Sequence, residues 1–159
     1  MIKIGNFPEI VNENAARIVA FFVVLLSVTA IYTESFFITI ILLYGFTARV
    51  LYGPKFEPFA RLALHIIIPL LKIKNIPTPG PPKRFAQCIG FIFSLTAIIL
   101  LYAEYRTAYI ITLSILSFFA FLESFLGFCA GCYIFGYLMK WGIVPDDVCE
   151  RCSNISYHI

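Results

Sequence analysis

The hydrophobic positions of this chain fall into long uninterrupted runs, not into the alternating or half-apolar stripes of a water-exposed fold. Ile18 to Thr33, Ser35 to Ala48 and Phe85 to Ala103 carry no charged residue, and Thr107 to Met139 carries one, Glu123. A membrane crossing needs about 20 apolar residues. The pattern therefore predicts an all-α fold, an integral membrane four-helix bundle with spans at about 15–33, 35–52, 85–103 and 107–128. The last run is longer than one bilayer requires, so its helix is expected to tilt, to kink near Gly127, or to continue toward Lys140. A helix over 35–52 rises roughly 27 Å, just enough for a hydrocarbon layer of about 30 Å.

Polar residues punctuate these runs. Asn12 stands where it can cap the first helix, with Glu13 and Arg17 spaced i,i+4 behind it. Glu34, Gly53-Pro54 and Glu104-Tyr105-Arg106 mark turns, and Arg49 is placed to reach out of the far end of the second span. The segment 56–71 is apolar except for Glu57, Arg61 and His65, which recur one turn apart on one helical face. A crossing would strand three ionisable groups in lipid, so this segment reads as an additional amphipathic helix lying along the interface. Pro77, Pro79, Pro81 and Pro82 form a stiff extended connection that delivers Lys83 and Arg84 to a membrane edge. Trp141 is an interface anchor, and 142–159 is a short polar tail, all within a single transmembrane domain spanning 1–159.

Composition agrees with the runs. The chain is 60% hydrophobic and 13% charged, against about 25% charged residues in soluble domains, too few to coat a wetted surface. The start does not read as a cleavable leader, because Pro8, Glu9 and Glu13 interrupt the approach to the first apolar run. The net charge of +3 does not mark a nucleic-acid binder, since the basic residues form no hydrophilic run with interleaved aromatics. Membrane lipids are the partners this composition implies. Basic residues concentrate between Arg49 and Arg84, which puts that connection, and with four spans both termini, in the cytoplasm of a multi-pass cell-membrane protein.

Three stretches, GPKFEPFARL at 53–62, PGPPKRFAQCIG at 79–90 and ESFLGFCAGC at 123–132, occur in an order that resembles the prokaryotic membrane protein family catalogued as domain of unknown function 4395. The resemblance implies a multi-spanning protein without assigned biochemistry. It also implies a thioredoxin-like or sulfurtransferase protein as partner, by the association of such proteins with family members.

The strongest chemical signal is four cysteines in two C-x-x-C pairs, Cys129/Cys132 in CAGC and Cys149/Cys152 in CERC. Such a pair brings two sulfurs together, so it can form a disulfide, exchange one, or give two thiolates to a metal. The two pairs together could relay electrons from dithiol to dithiol. They could instead supply the four ligands of a zinc or iron–sulfur centre. The small residues of CAGC equally permit plain helix packing, and Cys88, alone on a span, reads as packing.

Glu123 is the residue most at odds with its apolar surroundings. It must find a partner, among which Arg17, Arg49, Arg84 and Gln87 are candidates, or handle protons for the thiols. Arg61, His65, Lys83 and Arg84 make a candidate anion-attracting rim beside Cys129. The sequence thus points to a membrane protein with thiol–disulfide exchange or sulfur transfer at Cys129, Cys132, Cys149 and Cys152. The alternatives are a structural subunit with a metal site made of those four cysteines and a small sulfur-anion transporter component acting as a homo-oligomer. No nucleotide-binding loop, zinc-protease motif or serine triad is present.

Overall fold

The computed structural model describes residues 10–53, 57–70, 72–74 and 76–142. Among them six helices form: α1 (Glu13–Thr33), α2 (Phe36–Tyr52), α3 (Pro58–Leu70), α4 (Gly80–Tyr102), α5 (Arg106–Leu126) and α6 (Ala130–Lys140). Three of them, α1, α4 and α5, are long and apolar enough to cross a membrane. The second of the four expected spans is not among them. At 17 residues α2 falls short of that length, and the last apolar run is not one continuous helix.

α1 packs on α5, α2 on α4, and α4 on α5, with a further contact between α1 and α2, so these four helices close a ring. α6 lies against α4, and α3 against α1. Asn12 caps α1 as its position suggests, its side chain accepting from the Asn14 N–H at 3.0 Å. The flanking backbone, Ile10–Asn12 (β1), pairs antiparallel with Pro77–Pro79 (β2). The proline connection is thereby tied to the start of the chain, a ladder that hydropathy alone does not announce. Pro81 and Pro82 then occupy the first turn of α4, where no intrahelical N–H is required.

Burial runs inside out relative to a soluble protein. The interior is rich in small residues, Ala20, Ser27 and Ala30 on α1, Thr39 and Ala48 on α2, Gly90, Ser94 and Ala97 on α4, Ala120 on α5, packed around Leu42, Tyr109 and Leu113. Large residues such as Phe37, Ile92, Phe118 and Leu126 face outward. In lipid there is no hydrophobic gain from hiding a leucine, so helices associate through close backbone approach at small side chains. Gly90 illustrates the constraint, since a Cβ there would lie 2.1 Å from the Phe46 ring. Exposed Tyr32, Tyr102 and Tyr105 gather at one end, and exposed Tyr52 and Trp141 follow helices that terminate away from it. Aromatic rings at helix ends are the usual boundary of the hydrocarbon layer.

The two ends of the bundle differ. At one, Glu34 and Glu104 turn the chain with left-handed backbones, and Arg106 pairs with Glu34. Just inside, the Tyr109 hydroxyl donates to the Ala30 carbonyl at 3.1 Å and lies 3.0 Å from the Thr39 hydroxyl, joining α1, α2 and α5. At the opposite end the start of α1 meets the end of α5, where Arg17 donates to the Ser124 and Phe125 carbonyls at 3.1 and 2.8 Å. The expected Glu13–Arg17 pair gives way to these contacts, because Glu13 turns to accept from the Thr78 hydroxyl at 3.2 Å.

Tyr109→Phe should lower stability in detergent by about 0.6–1.7 kcal/mol, the range of interhelical hydrogen bonds in membrane proteins. Gly90→Ala, which forces the Phe46 ring to move, should cost about 1–3 kcal/mol. Reversible unfolding titrations of both variants check the two figures, and an unchanged midpoint for either would remove that contact from the account.

Candidate functional site

The end of the bundle where α1 starts and α5 stops collects the ionisable groups. Lys83 stands in the first turn of α4 and Glu123 in the last turn of α5. In neighbouring antiparallel helices these positions fall at the same depth. The Lys83 ammonium donates to Glu123 Oε1 at 2.7 Å, and both side chains are largely withdrawn from solvent. Glu123 thus has a partner, but not one of the four named from the sequence. Arg49, expected to reach outward, is instead 7% exposed. Its Nε donates to the Gly45 carbonyl at 3.0 Å, its guanidinium lies 4.4 Å over the Phe46 ring, and Glu57 Oε1 is 4.0 Å away.

Glu57 does not share an exposed stripe with Arg61 and His65. It is 1% exposed and caps α3, its Oε2 accepting from the Ala60 N–H at 2.7 Å, whereas Arg61 and His65 are exposed. Burial pushes the Glu57 carboxyl above its ordinary value, with Arg49 and the Ala60 N–H pulling it back. The helix itself is interrupted by a π turn over Ala63–Ile67, which shifts the register beyond Arg61. Of the expected rim, Arg61 and His65 are exposed, and Lys83 and Arg84 each have a partner. Lys83 is buried against Glu123, and Arg84 donates to the Val50 carbonyl at 3.0 Å.

The CAGC motif sits where α5 ends and α6 begins. Gly127, with φ of +68°, closes α5 in the left-handed conformation, and the chain turns through Phe128 to Cys129. Cys129 is the N-cap of α6, its sulfur accepting from the Cys132 N–H at 3.4 Å. The Cys132 thiol lies 2.7 Å from that sulfur, nearer than non-bonded sulfurs pack and approaching the disulfide length of about 2.05 Å. Between the two, Gly131 seats α6 on α4, since a Cβ there would lie 2.5 Å from Ala86 Cα. The small residues of the motif do pack helices, and in doing so they fix the two sulfurs beside Lys83. Because the chain reverses at Gly127, Glu123 and Cys129 face the same space, although straight helical spacing would point them apart.

Both cysteines lie beyond the end of α5. The hydrogen bond from Cys132, chiefly, holds the Cys129 thiol below its ordinary 9.0, and Lys83 and the Cys132 N–H add to this against burial and Glu123. Cys132, as the donor, is pushed the other way by that bond, by burial and by the charge on Cys129.

Cys129, Glu123, Lys83, Arg49 and Gln87 line a cavity of about 350 Å³ bounded by α1, α4, α5 and α6, with Phe46 and Arg49 of α2 and Ala60 and Leu64 of α3. Apart from Asn12 the rest of its wall is apolar, including Ala16, Val23, Phe93 and Ala120. Gln87 Oε1 is buried there without a hydrogen-bond partner. Sequence reasoning missed Arg49 and Gln87 as site residues. Their signal is a polar side chain near the ends of otherwise apolar helices, Arg49 in the last turn of α2 and Gln87 two turns into α4. Cys149 and Cys152 lie outside the described residues, and so does any metal site that needs them. Among the described residues no group of three or more His, Cys, Asp or Glu side chains is placed to hold a metal. Cys88 lies half-buried on α4, apart from the CAGC pair.

These features define a multi-span helical membrane protein with a close cysteine pair at one end of the bundle. The chain belongs to the family described as Domain of unknown function (DUF4395), whose model matches residues 11–140. No curated protein and no solved structure matches it.

With the protein reduced, Cys129 should alkylate faster than Cys132 at pH 7. Its rate should level off at a lower pH than that of Cys132, which should still be accelerating there. A pH series of iodoacetamide labelling, read by peptide mass spectrometry, tests the order. Equal rates at both sulfurs would contradict the assigned hydrogen bond.

Proposed function

We propose that Cys129 and Cys132 form a redox-active dithiol that exchanges disulfides with a partner thiol at one face of the membrane. The observation that carries this reading is the pair itself. Two sulfurs 2.7 Å apart stand at the N-terminus of α6, and the hydrogen bond between them favours the thiolate on Cys129. In the oxidised protein a partner thiolate attacks Cys129, the Cys129–Cys132 bond breaks, and Cys132 leaves as the thiolate. The partner's second thiol then attacks the mixed disulfide, which leaves the pair reduced and the partner oxidised. Cys149 and Cys152, outside the described residues, are one candidate for that second dithiol, and a thioredoxin-like protein is the other. In this reading Glu123 is a positioning residue that holds Lys83 at the thiols.

Sidedness belongs to the same proposal. In this reading α2 completes a fourth crossing, at roughly 25 Å of rise, with tyrosines at its margins. The start of α1 and the end of α5 share one end of the bundle, with Arg17, Arg49, Lys83 and Arg84. Arg106 lies at the other. The positive-inside rule puts the richer end, with the dithiol and both termini, in the cytoplasm.

Cys132→Ser leaves Cys129 without a resolving thiol. Glutathione disulfide should then form a stable adduct at Cys129, at least tenfold more of it than at Cys132 in Cys129→Ser. The wild type should close to an internal disulfide instead. Equal or absent adducts in the two variants would sink the exchange reading. For sidedness, tags on both termini should be digested in sealed inverted vesicles, and a protected tag on either end would refute the assignment.

A further inference from the structure

We infer that the cavity beside Cys129 is the site of a lipid-soluble quinone that reoxidises the Cys129/Cys132 dithiol. The inference rests on the redox reading of that pair and adds its electron acceptor.

The volume of about 350 Å³ falls within the roughly 300–1,000 Å³ of small-molecule sites. The cavity is amphipathic in one direction. Its polar wall, with Asn12, Lys83, Glu123, Arg49, Gln87 and Cys129, lies at the ionisable end of the bundle, and the remainder is aliphatic and aromatic. Phe119 and Ile134 belong to that wall and are themselves 43% and 48% exposed. The wall thus reaches the outward surface at Phe119, on a helix long and apolar enough to cross a membrane, and at Ile134 on α6. A ligand entering there partitions from lipid with its polar head toward the thiols.

The head is better neutral than anionic. Each cation of the cavity already faces a carboxylate, Lys83 with Glu123 and Arg49 with Glu57. An added carboxylate or phosphate would compete with both. A quinone carbonyl needs only a donor, and the Lys83 ammonium supplies one that also stabilises negative charge developing on that oxygen. Gln87 Oε1, buried and unpartnered, is an acceptor in search of a donor. The hydroxyl of the product hydroquinone is such a donor, and it appears only on reduction.

The reaction balances within the site. Two S–H bonds break and one S–S bond forms between Cys129 and Cys132. The two electrons and two protons released convert the quinone to the hydroquinone. The partner dithiol of the exchange reaction supplies the next electron pair.

The test uses the full chain in lipid nanodiscs, reduced, freed of reductant and kept without oxygen. A fully substituted short-chain ubiquinone is the probe, because its ring leaves no position open to thiol addition. Disulfide formation is followed by alkylation shift and quinone reduction by absorbance, with glutathione disulfide as an oxidant too polar to use the lipid-facing cavity. Ala120→Phe fills the cavity from α5, and Ile134→Trp fills its mouth from the surface in case the first disturbs folding. The expected result is one hydroquinone per disulfide in the wild type, with quinone oxidation slowed at least tenfold in both variants and glutathione disulfide equally effective in all three. If the wild type reacts with glutathione disulfide but not with the quinone, or the filled variants react with quinone as fast as the wild type, the cavity assignment is overturned and the dithiol reading stands. If neither oxidant closes the disulfide in the wild type, the dithiol reading fails and the quinone site fails with it.

Discussion

The Lys83–Glu123 ion pair is the contact on which the polar end of this bundle depends. Neither charge can enter the edge of a hydrocarbon layer alone, because removing a single ion from water costs several kcal/mol. Paired at 2.7 Å, they hold the first turn of α4 against the last turn of α5. That registration places the Gly127 turn, and therefore Cys129, beside α4. Arg49 and Glu57 repeat the arrangement between α2 and the start of α3, supported by the Gly45 carbonyl and the Phe46 ring. Charges that would oppose a membrane fold if scattered are gathered at one end and made to set its geometry.

Packing by small residues does the rest, and it explains why the same four residues of CAGC serve both packing and chemistry. Gly131 lets α6 approach Ala86 as no other residue would, which fixes the axis of α6. Cys129 caps that axis and Cys132 donates to it from the first turn. The reading of CAGC as helix packing and the reading as a dithiol are therefore the same structure viewed at different atoms. The cavity follows from the same economy, since Ala16, Ala20 and Ala120 leave space that larger side chains would fill.

Much of the architecture is legible from hydropathy alone. The uninterrupted runs predict helices, Asn12 predicts the first cap, and Glu34, Gly53 and Glu104 predict turns, all of which occur. What hydropathy does not carry is the pairing of elements. The length of the last run pointed to a kink near Gly127 as one of three outcomes, and the left-handed backbone there ends the helix outright. The β1–β2 ladder depends on two short segments far apart in the chain. Glu57, Arg61 and His65 look like one face by spacing, but capping by Glu57 draws it inward while the other two stay exposed. The partner of Glu123 was obscured because Lys83 reads as a loop charge at a membrane edge, until α4 is seen to begin at Gly80. The thiol site was half legible: the spacing of Cys129 and Cys132 announced a pair, and nothing in the spacing announced the cavity beside it.

The central claim is that Cys129 and Cys132 act as a reversible two-electron couple. An equilibrium redox titration in native membranes, poised with dithiothreitol buffers and quenched by differential isotopic alkylation, tests it most directly. The account predicts a single two-electron transition in which both residues change together and a peptide linking Cys129 to Cys132 appears on the oxidised side. Cysteines that stay singly alkylated at every potential, or a transition that joins either one to a different residue in preference, would contradict it.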